Sequence, residues 1–449
     1  MVVPVDWMEA GKHVKRQLWS GIDLLLGKIK NRGLAQWTVD LHSKWPQLTR
    51  KTLADVQQNP ERHSLIHLPH PFVVHGPEPS RYREQHYWES YFIIHGLLIS
   101  GMHATAKGMI LNFAHLIDRF GHIPLANRVY YLERTNPPLL SAMVNLYWLH
   151  QSADHPQDGL DLIKAVLPAV QREYDFWMKE RSVDVTVNNG QTFQLNRYQG
   201  TTTKPRPEGY REDHETSRSL RNRTLTGVED KFYGNIAAAS ESGWEFSSRW
   251  LDQPAKSGLA EIRTQDIIPV DLNAFLCQTE RHLAFFYNQI GDKEKNMEYE
   301  RKSEKRGDAI HAVFWNNSAI MWRDFDLKHN KQRSDFYLSS LTPLFASCSP
   351  KNNLYAEADF LRRVASSADV QRLASHPGGL PVSFVDALGA CHSCQWDFPN
   401  SWPTAALYLI EPLAKSDQEE LRSMAKNWAQ KVVSSVYDAM EQGVEISEK

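Results

Sequence analysis

Cysteine is scarce in this chain, with four residues, at 277, 348, 391 and 394, among 449. That is too few for a disulfide scaffold to stand in for a hydrophobic core. Cys391-His392-Ser393-Cys394 has CxxC spacing but no second pair, so it is read as neither a zinc site nor a redox centre. An excess of either charge is missing too. Lys+Arg number 51 against 53 Asp+Glu, a formal net charge of -2, which gives no basic field for nucleic acid or an anionic membrane. The longest apolar run, residues 91–102, is broken by His95 and falls well short of the ~20 residues of a membrane span. The start, Met1-Val2-Val3-Pro4-Val5-Asp6, shows no charged segment ahead of an apolar block, so no signal peptide is expected. P-loop, HExxH and GxSxG patterns are absent, which leaves those chemistries without support, and no metal or cofactor is expected. No linker and no repeat period divides the chain, so a single domain over residues 1–449 is expected.

What is present is aromatic and helical. Phe, Trp and Tyr make up 11% of the chain, with 14 Trp, enough either to build a core or to offer flat faces to sugar rings. Met109, Ile110, Phe113, Ala114, Ile117 and Phe120 recur at helical spacing, and Gly121 then Pro124 end that helix. Residues 1–60 read as helices ending near Asn59-Pro60, and 64–75 as a proline-rich extended loop. Amphipathic helices are expected over 139–150, 160–180, up to about 315, 355–374 and 405–440, with a short hairpin turning at Asn189-Gly190. Asp271 is expected to cap a helix whose apolar face is Leu272, Phe275, Leu276, Leu283, Phe286 and Ile290, closed by Gly291. Helices joined by polar, aromatic loops suggest a ring of paired helices with a site at one end, although periodicity alone does not separate a ring from a solenoid.

Three stretches collect the chemistry. Ser242-Gly243-Trp244-Glu245-Phe246-Ser247-Ser248-Arg249-Trp250 sets one carboxylate between two aromatics. Such a glutamate is either a surface or cap residue, or a carboxyl whose pKa is raised by apolar neighbours until it can serve as a general acid. Arg81-Tyr82-Arg83-Glu84-Gln85-His86-Tyr87-Trp88-Glu89-Ser90-Tyr91 packs arginine forks, carboxylates and rings into eleven residues, suited to a salt-bridged helix start or to a sugar surface. Gln395-Trp396-Asp397-Phe398-Pro399-Asn400-Ser401-Trp402-Pro403 is a further aromatic loop. Asn222-Arg223-Thr224 and Asn316-Asn317-Ser318 are glycosylation sequons, relevant only to a secreted chain.

Together these loops resemble the trehalase family of glycoside hydrolases. Residues 81–91 resemble its first signature and 395–403 its second, and Tyr130-Tyr131-Leu132, Arg134, Pro137-Pro138, Arg206-Pro207-Glu208 and residues 242–250 and 262–273 match in the same order. The resemblance implies an all-α (α/α)6 barrel and the inverting hydrolysis of α,α-trehalose to two glucoses, one carboxylic acid protonating the bridging oxygen while a second activates water. By position, Glu245 stands where the family has its acid. Arg81, Trp88, Glu89, Arg134, Thr135, Asn136, Arg206, Pro207, Glu208 and Gly243 stand at sugar-binding positions. Relatives are often secreted or at the cell surface. The sequence departs from the pattern in several places. Glu245 and Glu89 each replace an Asp, Pro79-Ser80 replaces a Gly-Gly, Leu125 an Asn, Asn136 a Gln and Cys394 a Gln. The family's glycine-rich segment bearing the general base has no counterpart before Lys449, and Glu441, Glu445 and Glu448 lack its glycine turn. Two readings follow: hydrolysis of trehalose with Glu245 as acid, or a noncatalytic relative that binds the disaccharide.

Overall fold

The computed structural model describes residues 2–4, 22–23, 25–76, 82–151, 155–220, 227–348, 357–386, 391 and 394–443. Helices dominate. Among the described residues, those of eight or more residues are α1 (Arg32–His42), α2 (Tyr87–Ile99), α3 (His103–Phe120), α4 (Leu140–Gln151), α5 (Pro156–Glu180), α6 (Tyr210–Arg218), α7 (Val228–Glu241), α8 (Val270–Gln289), α9 (Lys293–Phe314), α10 (Glu357–Ala365), α11 (Ala368–Ser375), α12 (Pro403–Ala414) and α13 (Glu419–Glu441). The longest strands, β1 (Ser182–Thr186) and β2 (Thr192–Asn196), form an antiparallel hairpin whose turn contains Gly190 at φ 83°, the left-handed residue that an Asn-Gly turn supplies. Two short strands fall where only helix was expected: Thr49–Thr52 pairs with Val2–Pro4, and also with Phe72–Val73. The β-branched threonines of Thr49–Thr52 favour the extended chain.

Two compact units divide the chain, Met1–Phe176 with His282–Asn296, and Trp177–Arg281 with Met297–Lys449. The first is built on α2, α3 and α4. On α3 the periodic residues Met109, Ile110, Phe113 and Ile117 are buried, and Gly121 ends the helix at φ 78°. A network of buried amides ties its loops to these helices. Gln85 Nε2 donates to the Met109 carbonyl, Asn112 Nδ2 donates to Gln85 Oε1 and to the His70 carbonyl, and Asn127 accepts from Gln85 N and donates to the Ile66 carbonyl. Each of these amides is buried, so its hydrogen bonds are what makes its burial tolerable. The Tyr87 hydroxyl accepts from the amides of Leu139 and Leu140 at the start of α4 and donates to Glu173 of α5. Burial pushes the Glu173 carboxyl up to about 8, against the opposing pull of Tyr87.

In the second unit Arg181 Nε and Nη2 clasp Glu241, the last residue of α7, at 3.0 and 2.9 Å, and the same carboxylate accepts from Gln199 N. Gly200 lies against α7 so closely that a Cβ there would sit 2.4 Å from the Gly234 carbonyl oxygen, so only glycine fits. The loop leading to Arg206 and the end of α7 are thereby fixed together. Asp271 is not the expected cap. It lies inside α8, its Oδ1 accepts from Leu272 N, and its carboxylate is spent on Arg249. Ile290, expected on the apolar face of α8, lies past its end and is exposed, whereas Leu272, Phe275, Leu276, Leu283 and Phe286 are buried. The scarce cysteines pair two by two, Cys277 with Cys348 and Cys391 with Cys394 of the CxxC stretch. These links reinforce a core that the hydrophobic residues already make.

Candidate active site

Helix α7 ends at Glu241, and Gly243 turns the chain at φ 72°, the left-handed conformation that commonly terminates a helix and that glycine adopts without strain. Trp244 then enters the core, fully buried and stacked on Trp396 at 4.8 Å, and Trp396 stacks in turn on Trp402 at 4.2 Å. Glu245 faces the other way, its side chain 35% exposed. The apolar sandwich expected around it is not what the chain builds, because Trp244 is spent on the core. Its neighbour is a cation. Arg206 Nη1 donates to Glu245 Oε2 at 3.2 Å, and the guanidinium lies over the Phe246 ring at 5.0 Å.

Arg206 is itself held. Asp213, in the first turn of α6, accepts from Arg206 Nε at 2.9 Å, from Nη2 at 2.8 Å and from the backbone amide at 3.0 Å, while Glu208 Oε1 lies 3.9 Å from Nη1. Burial disfavours the guanidinium cation, but Asp213, Glu245 and Glu208 outweigh it and raise its pKa above the ordinary arginine value. Pro207 opens the short 3-10 turn that presents Glu208. Asp213 was not picked out in the sequence. Its only signal there is a carboxylate seven residues beyond an arginine.

The second aromatic loop runs alongside the Glu245 segment. Gln395 Nε2 donates to the Glu245 carbonyl at 2.9 Å, and Trp396 N donates to the Phe246 carbonyl at 3.1 Å. Asp397 accepts from Ser248 N and Ser248 Oγ, both at 2.6 Å, and from Ser383 Oγ at 3.2 Å and Ser247 Oγ at 3.4 Å. Burial pushes Asp397 up to about 7, and the serine hydrogen bonds pull the other way.

In the first unit, Trp88 is buried on α2 and meets Phe92 edge-on. Glu89, one residue on, is half-buried, and its Oε2 is enclosed without a hydrogen-bond partner. Burial raises its pKa, with His75 opposing. Arg134 is buried with its guanidinium over the Tyr131 ring at 5.3 Å, and Thr135 and Asn136 are buried beside it in sequence. Leu125, where the resembled family has Asn, packs with Ala126 and Tyr131, an apolar filling in place of a polar group. A ring cluster of His75, Tyr82 and His86 went unnoticed in the sequence; His75 and His86 lie 4.7 Å apart, and burial lowers His86 to about 4. Arg81, with Pro79 and Ser80, falls outside the described residues, as does the sequon at Asn222. Asn316 of the other sequon is half-buried, its Nδ2 donating to Gln332 Oε1 at 3.0 Å. Among the described residues no group of His, Cys, Asp and Glu is arranged to hold a metal, and no helix is long and apolar enough to cross a membrane.

Compared with known proteins, residues 8–449 match the family model described as trehalase. The chain is 35% identical over 432 residues to a trehalase of Oryctolagus cuniculus, covering 96% of this chain and 70% of the relative. It is 36% identical over 436 residues to a trehalase of Dictyostelium discoideum, covering 95% and 67%. Among solved structures, the neutral trehalase of Saccharomyces cerevisiae superposes with a TM-score of 0.69 at 20% identity, over 84% of this chain and 69% of that one, a likeness of fold. These matches bear out the all-α, (α/α)6 class expected from the loops and helices. On the agreement of fold, sequence and motif order, the chain belongs to the trehalase family of glycosidases.

Proposed function

We propose that this protein hydrolyses α,α-trehalose to two glucoses with inversion, as a single catalytic domain over residues 1–449, and that Glu245 is the proton donor. The observation that supports this most directly is the Arg206–Glu245 pair: a half-exposed carboxyl held at 3.2 Å by an arginine whose charge Asp213 already balances. Because Asp213 takes two of the guanidinium's forks, Glu245 can gain or lose a proton without leaving Arg206 uncompensated in a buried site. In the reaction the Glu245 proton passes to the bridging oxygen as the C1–O bond breaks, and one glucose leaves with its α configuration. Water attacks the other anomeric carbon from the opposite face, giving β-glucose, and its proton goes to a second carboxylate. No residue is assigned to that base.

Arg206 and Glu208 are proposed to hold sugar hydroxyls beside the acid, with Pro207 and Gly243 shaping the backbone there, and Arg81, Trp88, Glu89, Arg134, Thr135 and Asn136 are proposed as sugar-binding residues on the strength of the family's motif order. Charged groups suit this role because hydrogen bonds to an ionised partner are about twice as strong as neutral ones. Proton NMR of a trehalose digest tests the reading. Equal α- and β-glucose at early times supports it, and Glu245→Gln is expected to lower kcat by about 100- to 10,000-fold. No glucose release from the wild type overturns it. Isothermal titration with trehalose then decides whether the protein binds the disaccharide without cleaving it, the reading favoured if the Arg206–Glu245 ion pair holds the carboxyl ionised throughout.

A further inference from the structure

The polar groups of residues 395–397 in the second aromatic loop are turned toward the protein. Over three consecutive residues the loop hydrogen-bonds the backbone that carries Glu245. Gln395 takes the Glu245 carbonyl, Trp396 the Phe246 carbonyl, and Asp397 the Ser248 amide. Asp397 is the anchor of the three. It is fully buried, and its two oxygens gather four donors from two separate segments, Ser247 and Ser248 on one and Ser383 on the other. Ser248 Oγ also meets the Tyr337 hydroxyl at 3.0 Å, and Ser383 Oγ accepts from the amides of Phe398 and Val385 at 3.1 and 3.2 Å. Three of the four donors to Asp397 meet Oδ1 and the Ser248 amide meets Oδ2, and with the residue fully buried neither oxygen faces solvent. Its connections run to the Glu245 segment and to the loop around Ser383.

We propose that Asp397 is a positioning residue for Glu245: through Ser247 and Ser248 it sets where the Glu245 backbone lies, and so where the carboxyl is delivered. The proposal rests on the reading of Glu245 as proton donor. A buried carboxylate suits the task because it accepts several hydrogen bonds at fixed angles, and an amide in its place keeps an acceptor for the Ser248 N–H only by turning its NH2 toward the three serine hydroxyls that donate to Oδ1. The tolerance is small, since a misplacement of about 1 Å at a reacting group costs roughly a hundredfold in rate.

The test compares two substrates. Trehalose needs a proton on its leaving oxygen. In α-D-glucosyl fluoride the C1–F bond breaks with fluoride leaving as the anion while water adds to C1, so the acid matters far less. Asp397→Asn is expected to lower kcat on trehalose by about 10- to 100-fold with KM little changed, and to leave turnover of the fluoride within about threefold. Glu245→Gln is expected to show the same selectivity, more strongly. Equal losses on both substrates in Asp397→Asn, or none on either, overturn the positioning role while the selectivity of Glu245→Gln keeps the acid reading intact. Loss of selectivity in Glu245→Gln itself, or a wild type that turns over neither substrate, overturns the acid reading and the positioning role with it. If Asp397→Asn does not fold, Ser248→Ala removes the 2.6 Å hydroxyl contact, together with the contact to the Tyr337 hydroxyl, and keeps the Asp397 carboxylate, and the same ratio is read there.

Discussion

Arg206 and Arg249 sit in the same unit, each lies over an aromatic ring and each holds more than one carboxylate, yet they are built for different ends. Arg249 is fully buried. Nη1 and Nη2 take Asp271 at 2.7 and 2.9 Å, Nε and Nη2 take Asp324 at 2.7 and 3.0 Å, and the cation lies 4.4 Å from the Trp250 ring. Four of the five N–H donors are used on these two carboxylates, and both partners are enclosed. Arg206 instead spends its Nε and Nη2 on one enclosed carboxylate, Asp213, and keeps Nη1 for Glu245 at a half-exposed surface with Glu208 nearby. The same residue type thus clamps a core in one place and holds a carboxyl in reach of solvent in the other. The four-residue step from Glu245 to Arg249 crosses from chemistry to structure.

The sharpest way to break that contrast is Arg249→Met. It strands Asp271 and Asp324, so a loss of about 3–5 kcal/mol is expected, read as a lower urea midpoint or as insoluble protein. A near-normal midpoint would show that the buried pair of carboxylates is neutralised some other way. Next in size is Arg206→Lys, which keeps the charge but cannot grip Asp213 with a fork and reach Glu245 as well. The loss falls on kcat/KM for trehalose, about a hundredfold, with a smaller change in stability than in Arg249→Met. If stability falls as far as in Arg249→Met, the distinction between the two arginines fails.

A buried carboxyl with no arginine sharpens the comparison at the smallest scale. Glu173 is partnered by the Tyr87 hydroxyl, and burial pushes it up to about 8 from the ordinary 4.5. Because its folded pKa lies above the unfolded one, the folded state holds the extra proton between these limits. Its contribution to stability is complete below about 4.5 and is lost as pH rises to about 8. Glu173→Gln is isosteric with the protonated acid and should remove that decline. The difference in melting temperature between variant and wild type is expected to grow in the variant's favour from pH 5 to 8 and then level off. Parallel curves for the two proteins would place an ionised Glu173 in the fold.

Much of this was open to reading in one dimension. The α3 face with its stop at Gly121, the hairpin at Asn189-Gly190 and the near-absence of long strands follow from periodicity and turn chemistry, which are local. The misreadings around the site are non-local. Asp271 looks like a cap until Arg249 reaches it, and Glu245 looks encased by rings until Trp244 turns inward to stack on Trp396, 152 residues later by the difference of their numbers. Asp213 and Asp397 owe their meaning to partners seven and about 150 residues away, distances at which spacing carries no signal. Motif order supplied the family and the candidate site residues, but not the hydrogen bonds by which one motif holds another.

The column of three indoles, Trp244 on Trp396 on Trp402, gives the molecule an optical handle. Rings stacked this closely exchange excitation, so their joint near-ultraviolet dichroism depends on spacing and tilt. One of the three adjoins Glu245 in sequence and another adjoins Asp397. Light absorbed by the column therefore reads out whether those two stretches of chain stay in register, with no label added and no substrate consumed.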